Sequence, residues 1–519
     1  MKITNRREFL GGIGSAVGFA AVGFTFADRR GFAEALAKIS RERLRFGELD
    51  PLVDLLQATP PDALMPLVVK KLRSGTSLSD VVAAAALANA RAYGGTNYNG
   101  YHTLMAMIPS YEMAPQMPTE YAALPVLKVL HRNARFFQDS GRANDDALEP
   151  LEAAAGDTKL VESIRARDLP QAERSLALLM QDDRGVLGDQ HRDSQSRQRA
   201  YEEIQSAVRD DLNVHRVVLS WRAYDLLRLT GQEHALTMLR QSVRFCIDED
   251  GQRARRGNAP DEIHALLLKL MDEHGLDRRD AGTRTLDTAA LERLSDTFFS
   301  GDRATAARAA ASALADGVAP EDVGAAMSLA ATRLLLNDPG YTQAQPGKPI
   351  GSVHGASVGV HASDAANAWR HIARTGSTRN AFASLITGAY HTAGQSSHVG
   401  ALANDHDAEP CTKSEPAALL KEIEGRIRDR DQKGACQAAR RYCALGHSAA
   451  DLFTLLLGFA VSEDGALHAE KYFRTAQDEH STARPEHRAL YLVALTRVMA
   501  SHFGFPAPGY DDARKLLST

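Results

Sequence analysis

Aromatic residues make up 6% of the chain and only two are tryptophan, Trp221 and Trp369, a poor supply of stacking surfaces for sugars or bases. Four cysteines in 519 residues exclude a disulfide-built scaffold. No CxxC pair, HExxH helix, phosphate loop, GxSxG elbow or dinucleotide fingerprint after a strand occurs. Lys and Arg total 61 against 65 Asp and Glu, a net charge of −4, and no basic tract is present. Nothing therefore points to nucleic acid or an anionic membrane as partner. Runs of alternating β-branched residues are almost missing, and no apolar stretch is long enough for a confident membrane span.

Helical periodicity fills the space that these absences leave. Apolar residues recur at three-and-four spacing in nearly every segment, and Gly and Pro fall between segments. The expected fold is all-α.

The first 27 residues read as an address. Asn5-Arg6-Arg7-Glu8-Phe9-Leu10 resembles a twin-arginine motif, and a Gly/Ala-rich apolar run follows to Phe26. Thr25 and Ala27 supply small residues for cleavage. The expectation is a signal peptide over 1–27, export by the twin-arginine machinery to the periplasm or beyond, and no stable membrane insertion.

One pattern recurs in the remainder. Asp302 opens an alanine-rich helix, Gly317 ends it and Asp322 lies in the first turn of the next. Asp431, Gly446 and Asp451 keep the same spacing, and Gly75 and Asp80 keep its second half. Glycine takes positive φ at a helix end without steric cost, and an acid in a first turn complements the helix dipole. Ser77-x-x-Asp80 and Ser448-x-x-Asp451 resemble capping boxes. A fourth, eroded copy begins at Asp168. Each copy then reaches a helix that starts near a histidine: His102, His215, His361 and His468. The reading is four quasi-repeats of helical hairpins, solenoid- or toroid-like, in two halves, 28–275 and 276–519. Connectors are expected in the polar stretches 139–157, 181–196, 249–261 and 404–415.

The densest histidine stretch, Gly351 to His391, holds His354, His361, His371 and His391. His361 and Asp364 are neighbours on a helix, a spacing that supplies two metal ligands or one ligand and its supporting carboxylate. Equivalent positions in pseudo-symmetric copies lie at similar radius from the pseudo-axis. Thus His102, His215, His361 and His468 are expected to converge as metal ligands, with Tyr101 and Asp364 as candidate catalytic residues. His371 reads as a partly exposed polar residue, and His480 and His487 as surface. Cys436 and Cys443 stand too far apart along one helix to bridge, by about 10 Å. Cys411 could reach either, or all could be free thiols.

The segments GVHASDAANAWRHI, HRVVLSWRAYDLLRLTGQEHALTMLR and NGYHTLMAMIP resemble the questin oxidase-like proteins and related exported helical proteins. The resemblance implies oxidation of a cyclic, polyketide-like small molecule, with His102, His215 and His361 at the matching positions. The export signal argues against a soluble nicotinamide cofactor and for a bound transition metal, iron or copper ahead of zinc. A helical-toroid polysaccharide lyase or hydrolase, using Asn97, Tyr98, Asn99, Tyr101 and His102, is the second reading. A non-enzymatic helical-repeat scaffold is the third.

Overall fold

The structure is a computed structural model. It describes residues 44–93, 95–140, 159–181, 190–258, 261–299, 302–346, 348–353, 357–396 and 411–518. The expected signal peptide and His354 lie outside the described residues. Leu44 and Arg45 group with a separate unit, and the described residues from Phe46 onward form one contact-connected unit. The fold is helical as expected: among the described residues, β pairing is limited to three isolated bridges.

The first helices are α1 (Asp50–Ala58), α2 (Pro61–Arg73), α3 (Leu78–Tyr93), α4 (Tyr98–Met113) and α5 (Leu124–Asp139). Next come α6 (Leu160–Arg165), α7 (Leu169–Gln181), α8 (Gln190–Val208), α9 (Val214–Asp225), the short α10 (Leu227–Thr230) and α11 (Ala235–Arg255). A linking α12 (Ile263–Glu273) leads to α13 (Thr288–Phe299), α14 (Arg303–Ala315), α15 (Pro320–Leu336), α16 (Val358–Thr375) and α17 (Thr378–Ala393). The last set is α18 (Pro416–Arg428), α19 (Gln432–Ala444), α20 (Ala449–Ser462), α21 (His468–Thr482) and α22 (Pro485–His502), closed by α23 (Tyr510–Ser518).

The capping residues named from the sequence do the expected local work. Asp302 accepts from Thr305 N at 2.9 Å, Asp431 from Gly434 N at 2.8 Å and Asp168 from Gln171 N at 3.1 Å. Ser77 and Ser448 accept from the amides of Asp80 and Asp451. Each such bond satisfies a donor that the first helical turn leaves open, worth about 1 kcal/mol. Gly75, Gly317 and Gly446 all take positive φ just beyond α2, α14 and α19.

One order of packing occurs four times. The helix before the histidine helix packs on it: α3 on α4, α8 on α9, α15 on α16, α20 on α21. The helix after it, α5, α11, α17 or α22, packs on it too and also meets the helix before it. The four histidine helices then close a ring, α4 against α9, α9 against α16, α16 against α21 and α21 against α4. The ring therefore draws two helices from each side of residue 275.

Three expectations need correction. The stretches 181–196 and 249–261 were read as connectors, but α8 already begins at Gln190 and α11 runs on to Arg255. Arg216 of α9 reaches the Asp250 carboxylate at 2.5 Å, and Gln252 donates to Asp248 one turn back. Polar sequence there marks a helix held by ion pairs instead of a break. His487, expected at the surface, is 7% exposed and hydrogen-bonds Glu292 at 3.1 Å. Of the two arrangements left open for the cysteines, the structure has the second: all four are free.

Candidate metal centre

Each ring helix delivers its histidine within its first turn or so, and each helix start is fixed by a local device. Asn97 caps α4 by accepting from Asn99 N and Gly100 N, and Asn89 of α3 donates to Gly100 O at 2.9 Å. Asn213 caps α9 through His215 N at 2.9 Å. Ser357 caps α16, and the Asp338 carboxylate accepts from Gly359 N at 2.8 Å. Gly359 is required there, since a Cβ would lie 2.3 Å from the Leu335 backbone of α15.

The start of α21 is the most constrained. Ala466 and Leu467 both take positive φ immediately before His468. Such residues cost of order 1–3 kcal/mol and persist where surrounding bonds over-determine them. Here the Glu463 carboxylate accepts from the amides of Gly504 and Phe505, and Asp464 N donates to Phe505 O at 2.6 Å. The Asp464 carboxylate also accepts from Ala466 N at 3.0 Å.

These devices bring all four predicted histidines into one cluster. Going round it, ring centroids are 4.7 Å apart for His102 and His215, 5.2 Å for His215 and His361, 5.4 Å for His361 and His468, and 5.2 Å for His468 and His102. One ring nitrogen from each of His102, His215 and His468 lies within 4.8 Å of the others. His361 stands outside that trio but places its Nε2 3.3 Å from Nε2 of His468. Two imidazoles on a tetrahedral metal, at about 2.0–2.1 Å each, have their nitrogens about 3.3 Å apart.

The tautomers follow from what each Nδ1 meets. Nδ1–H of His102 donates to Tyr98 O at 2.8 Å, that of His215 to Asn213 Oδ1 at 3.1 Å, and that of His468 to Ala466 O at 3.2 Å. With the proton on Nδ1, each Nε2 presents a bare lone pair. Nε2 of His102 and of His215 are buried and have no hydrogen-bond partner. Nε2 of His468 accepts, so His361 donates Nε2–H to it in the metal-free state. Histidine ligands characteristically donate the second ring N–H to a carbonyl or carboxylate in this way.

The electrostatics favour neutral rings. Burial holds His102, His215 and His468 well below the usual imidazole range; beyond it, the Lys471 charge acts most on His102 and His468, and His102 on His215. Burial, then Lys471 and Lys348, lowers His361 to about 3. Neutral imidazole is the form that binds a metal.

The two other predicted site residues lie beside the cluster. Tyr101 stacks on His102 at 4.8 Å and contacts His215 at 5.5 Å. Asp364 is 4% exposed, one turn beyond His361, and accepts from Thr475 Oγ1 at 2.9 Å. Burial raises its pKa, against the opposing pull of Lys471. His371 and His391 belong elsewhere: His371 stacks on Trp221 at 4.4 Å and bonds Asp478, while His391 accepts from Trp369 Nε1. The acids near His468 in sequence are engaged with other partners, Asp464 with Arg132 and Glu470 with Lys128.

Lys471 was missed by the sequence reading. It sits three residues after His468, as Asp364 sits after His361, so the step that flagged His-x-x-Asp also marks His-x-x-Lys. Comparison with protein-family models, curated proteins and solved structures finds no match to this chain.

Proposed function

We propose that this chain is an exported, metal-dependent oxidoreductase whose single transition-metal site is held by His102, His215, His361 and His468. The observation that carries the reading is the convergence of ring nitrogens from His102, His215 and His468, each with its Nδ1 partner fixed, together with the Nε2 of His361 beside that of His468. Leaving a buried imidazole nitrogen unpaired costs about 1–3 kcal/mol. Two are unpaired here and a third is met only by another imidazole, so a shared ion is the economical partner. A lyase or a scaffold would leave the same nitrogens facing one another without a purpose.

An all-imidazole set suits iron, copper or zinc. Oxygen chemistry and the implied cyclic, polyketide-like substrate favour iron or copper over zinc. When bound, the metal supplies a Lewis-acidic or one-electron centre. The protein's own residues hold the rings in one tautomer, keep them neutral and limit solvent. Asp364, one turn beyond His361 and held by Thr475, is the proton-carrying group of this reading, and Tyr101 walls the His102 side. The fourfold order of packing supports four quasi-repeats around this axis, and export by the twin-arginine route delivers the chain folded with its ion in place.

Metal analysis of protein purified from an exporting host tests the reading. One iron or copper per chain is expected, with retention lost in His468→Ala, whose nitrogen contacts both the trio and His361. His361→Ala is expected to lose the ion or hold it far more weakly. A folded, active wild type that carries no metal, or unchanged metal content in both variants, overturns the proposal.

A further inference from the structure

The proposed centre does not balance its own charge. Four neutral imidazoles leave a divalent ion with its full charge. Four helix N-termini, each carrying partial positive charge, surround the same point. Nearby acids are engaged: Glu470 faces Lys128 at 2.6 Å, Asp464 faces Arg132, and Glu463 accepts two backbone amides. Among the described residues, Asp364 also has no cationic partner within ion-pair distance and accepts from Thr475 Oγ1.

Lys471 adds to the excess. It is 3% exposed on α21, one turn beyond His468, and makes neither a hydrogen bond nor an ion pair among the described residues. Its charge reaches all four imidazoles and lowers each of them. Burial brings its own pKa down to about 8, with Asp364 and Glu470 opposing, so the amine is still mostly an ammonium at pH 7. A buried ammonium with no partner is expensive. Arg222, the other cation acting on it, is turned toward Asp225 at 3.4 Å.

Resting on the metal reading above, we propose that the completed site binds a small carboxylate, one oxygen on the metal and the charge paired with the Lys471 ammonium. Lys471 is then a substrate-binding residue. A planar two-oxygen anion matches one metal and one ammonium, whereas a tetrahedral oxyanion would bury further oxygens with no donor to meet them.

The test uses full-length protein loaded with Co(II), titrated with acetate, acetamide and phosphate and read by its visible absorption. Wild type is expected to bind acetate and not the neutral isostere acetamide. Lys471→Met is expected to take up Co(II) with unchanged stoichiometry but to bind acetate about tenfold or more weakly, the size of one charge-assisted hydrogen bond. Lys471→Gln serves as the second variant, and circular dichroism confirms that both fold. Equal acetate affinity in wild type and both variants, acetamide binding as well as acetate, or tighter phosphate binding overturns this proposal alone. Failure of the wild type to take up Co(II) overturns the metal reading and this one with it.

Discussion

Acid should unfold the metal-free protein through its histidine ring, with a slope that counts the buried imidazoles. An imidazole has an ordinary pKa of about 6.5 in the unfolded chain. In the fold, His361 is held at about 3, and His102, His215 and His468 are held well below the ordinary value. The unfolded state therefore binds more protons throughout the window below pH 6.5, and stability rises with pH there. Above about pH 6.5 both states are neutral and stability is flat. Below it, each ring subtracts about 1.4 kcal/mol per pH unit until the folded pKa is reached, which for His361 is about 3. Four rings acting together give about 5.5 kcal/mol per unit, comparable with the whole stability of an ordinary domain, about 5–15 kcal/mol. His391, buried and lowered to about 4, adds in the same direction, while Asp364 and Asp211, raised by burial, subtract. Denaturant unfolding of chelator-treated protein between pH 7.5 and 5.0 reads the slope directly. Comparing wild type with His102→Gln and His215→Gln isolates the ring, because other groups cancel in the difference. Each substitution is expected to lower the slope by about 1.4 kcal/mol per pH unit. Stability independent of pH between 6.5 and 5.0, or slopes unchanged in both variants, would refute the buried neutral rings.

Saturating metal at about a hundred times its Kd should stabilise the wild type by about 2.7 kcal/mol, with the gain absent in His468→Ala; differential scanning calorimetry with and without metal measures it. Gly359→Ala should destabilise the fold by about 1–3 kcal/mol or more and weaken metal binding through the displaced His361, because its Cβ meets Leu335 backbone in α15. Urea melts and metal titration together check this, and wild-type behaviour in both would count against the close α15–α16 approach. Glu479→Ala should cost about 3–5 kcal/mol, since it leaves the buried Arg370 guanidinium only the longer 3.6 Å pairing with the exposed Glu321 and removes the acceptor of Asn367. A loss under about 1 kcal/mol in chemical denaturation would show that pair to be dispensable.

Much of the site was legible before the fold. His102, His215, His361 and His468 stand at one step of a recurring pattern, and that step is what places them near four helix starts. What the pattern leaves open is radius: a residue can recur in every copy and still face outward in each. Lys471 was overlooked because a lysine in an amphipathic helix ordinarily faces water, and only the ring of α4, α9, α16 and α21 buries it. His487 was misplaced for the same reason, since a polar residue in a first turn is exposed unless another helix covers it, as happens here beside Glu292.

Sequence by itself determined the helices and their ends: periodicity sets the buried stripe, Asp302, Asp431, Ser77 and Ser448 start helices, and Gly75, Gly317 and Gly446 stop them. Those effects act within one or two turns, so neighbouring residues suffice to specify them. Tertiary structure alone decided that His361 and His468, 107 residues apart, meet at 3.3 Å, and that the rings of His102 and His215 lie 4.7 Å apart. Those facts depend on where four helix axes cross, which is set by side-chain packing summed over the whole ring and by the strained turn at Ala466–Leu467 that no local rule requires.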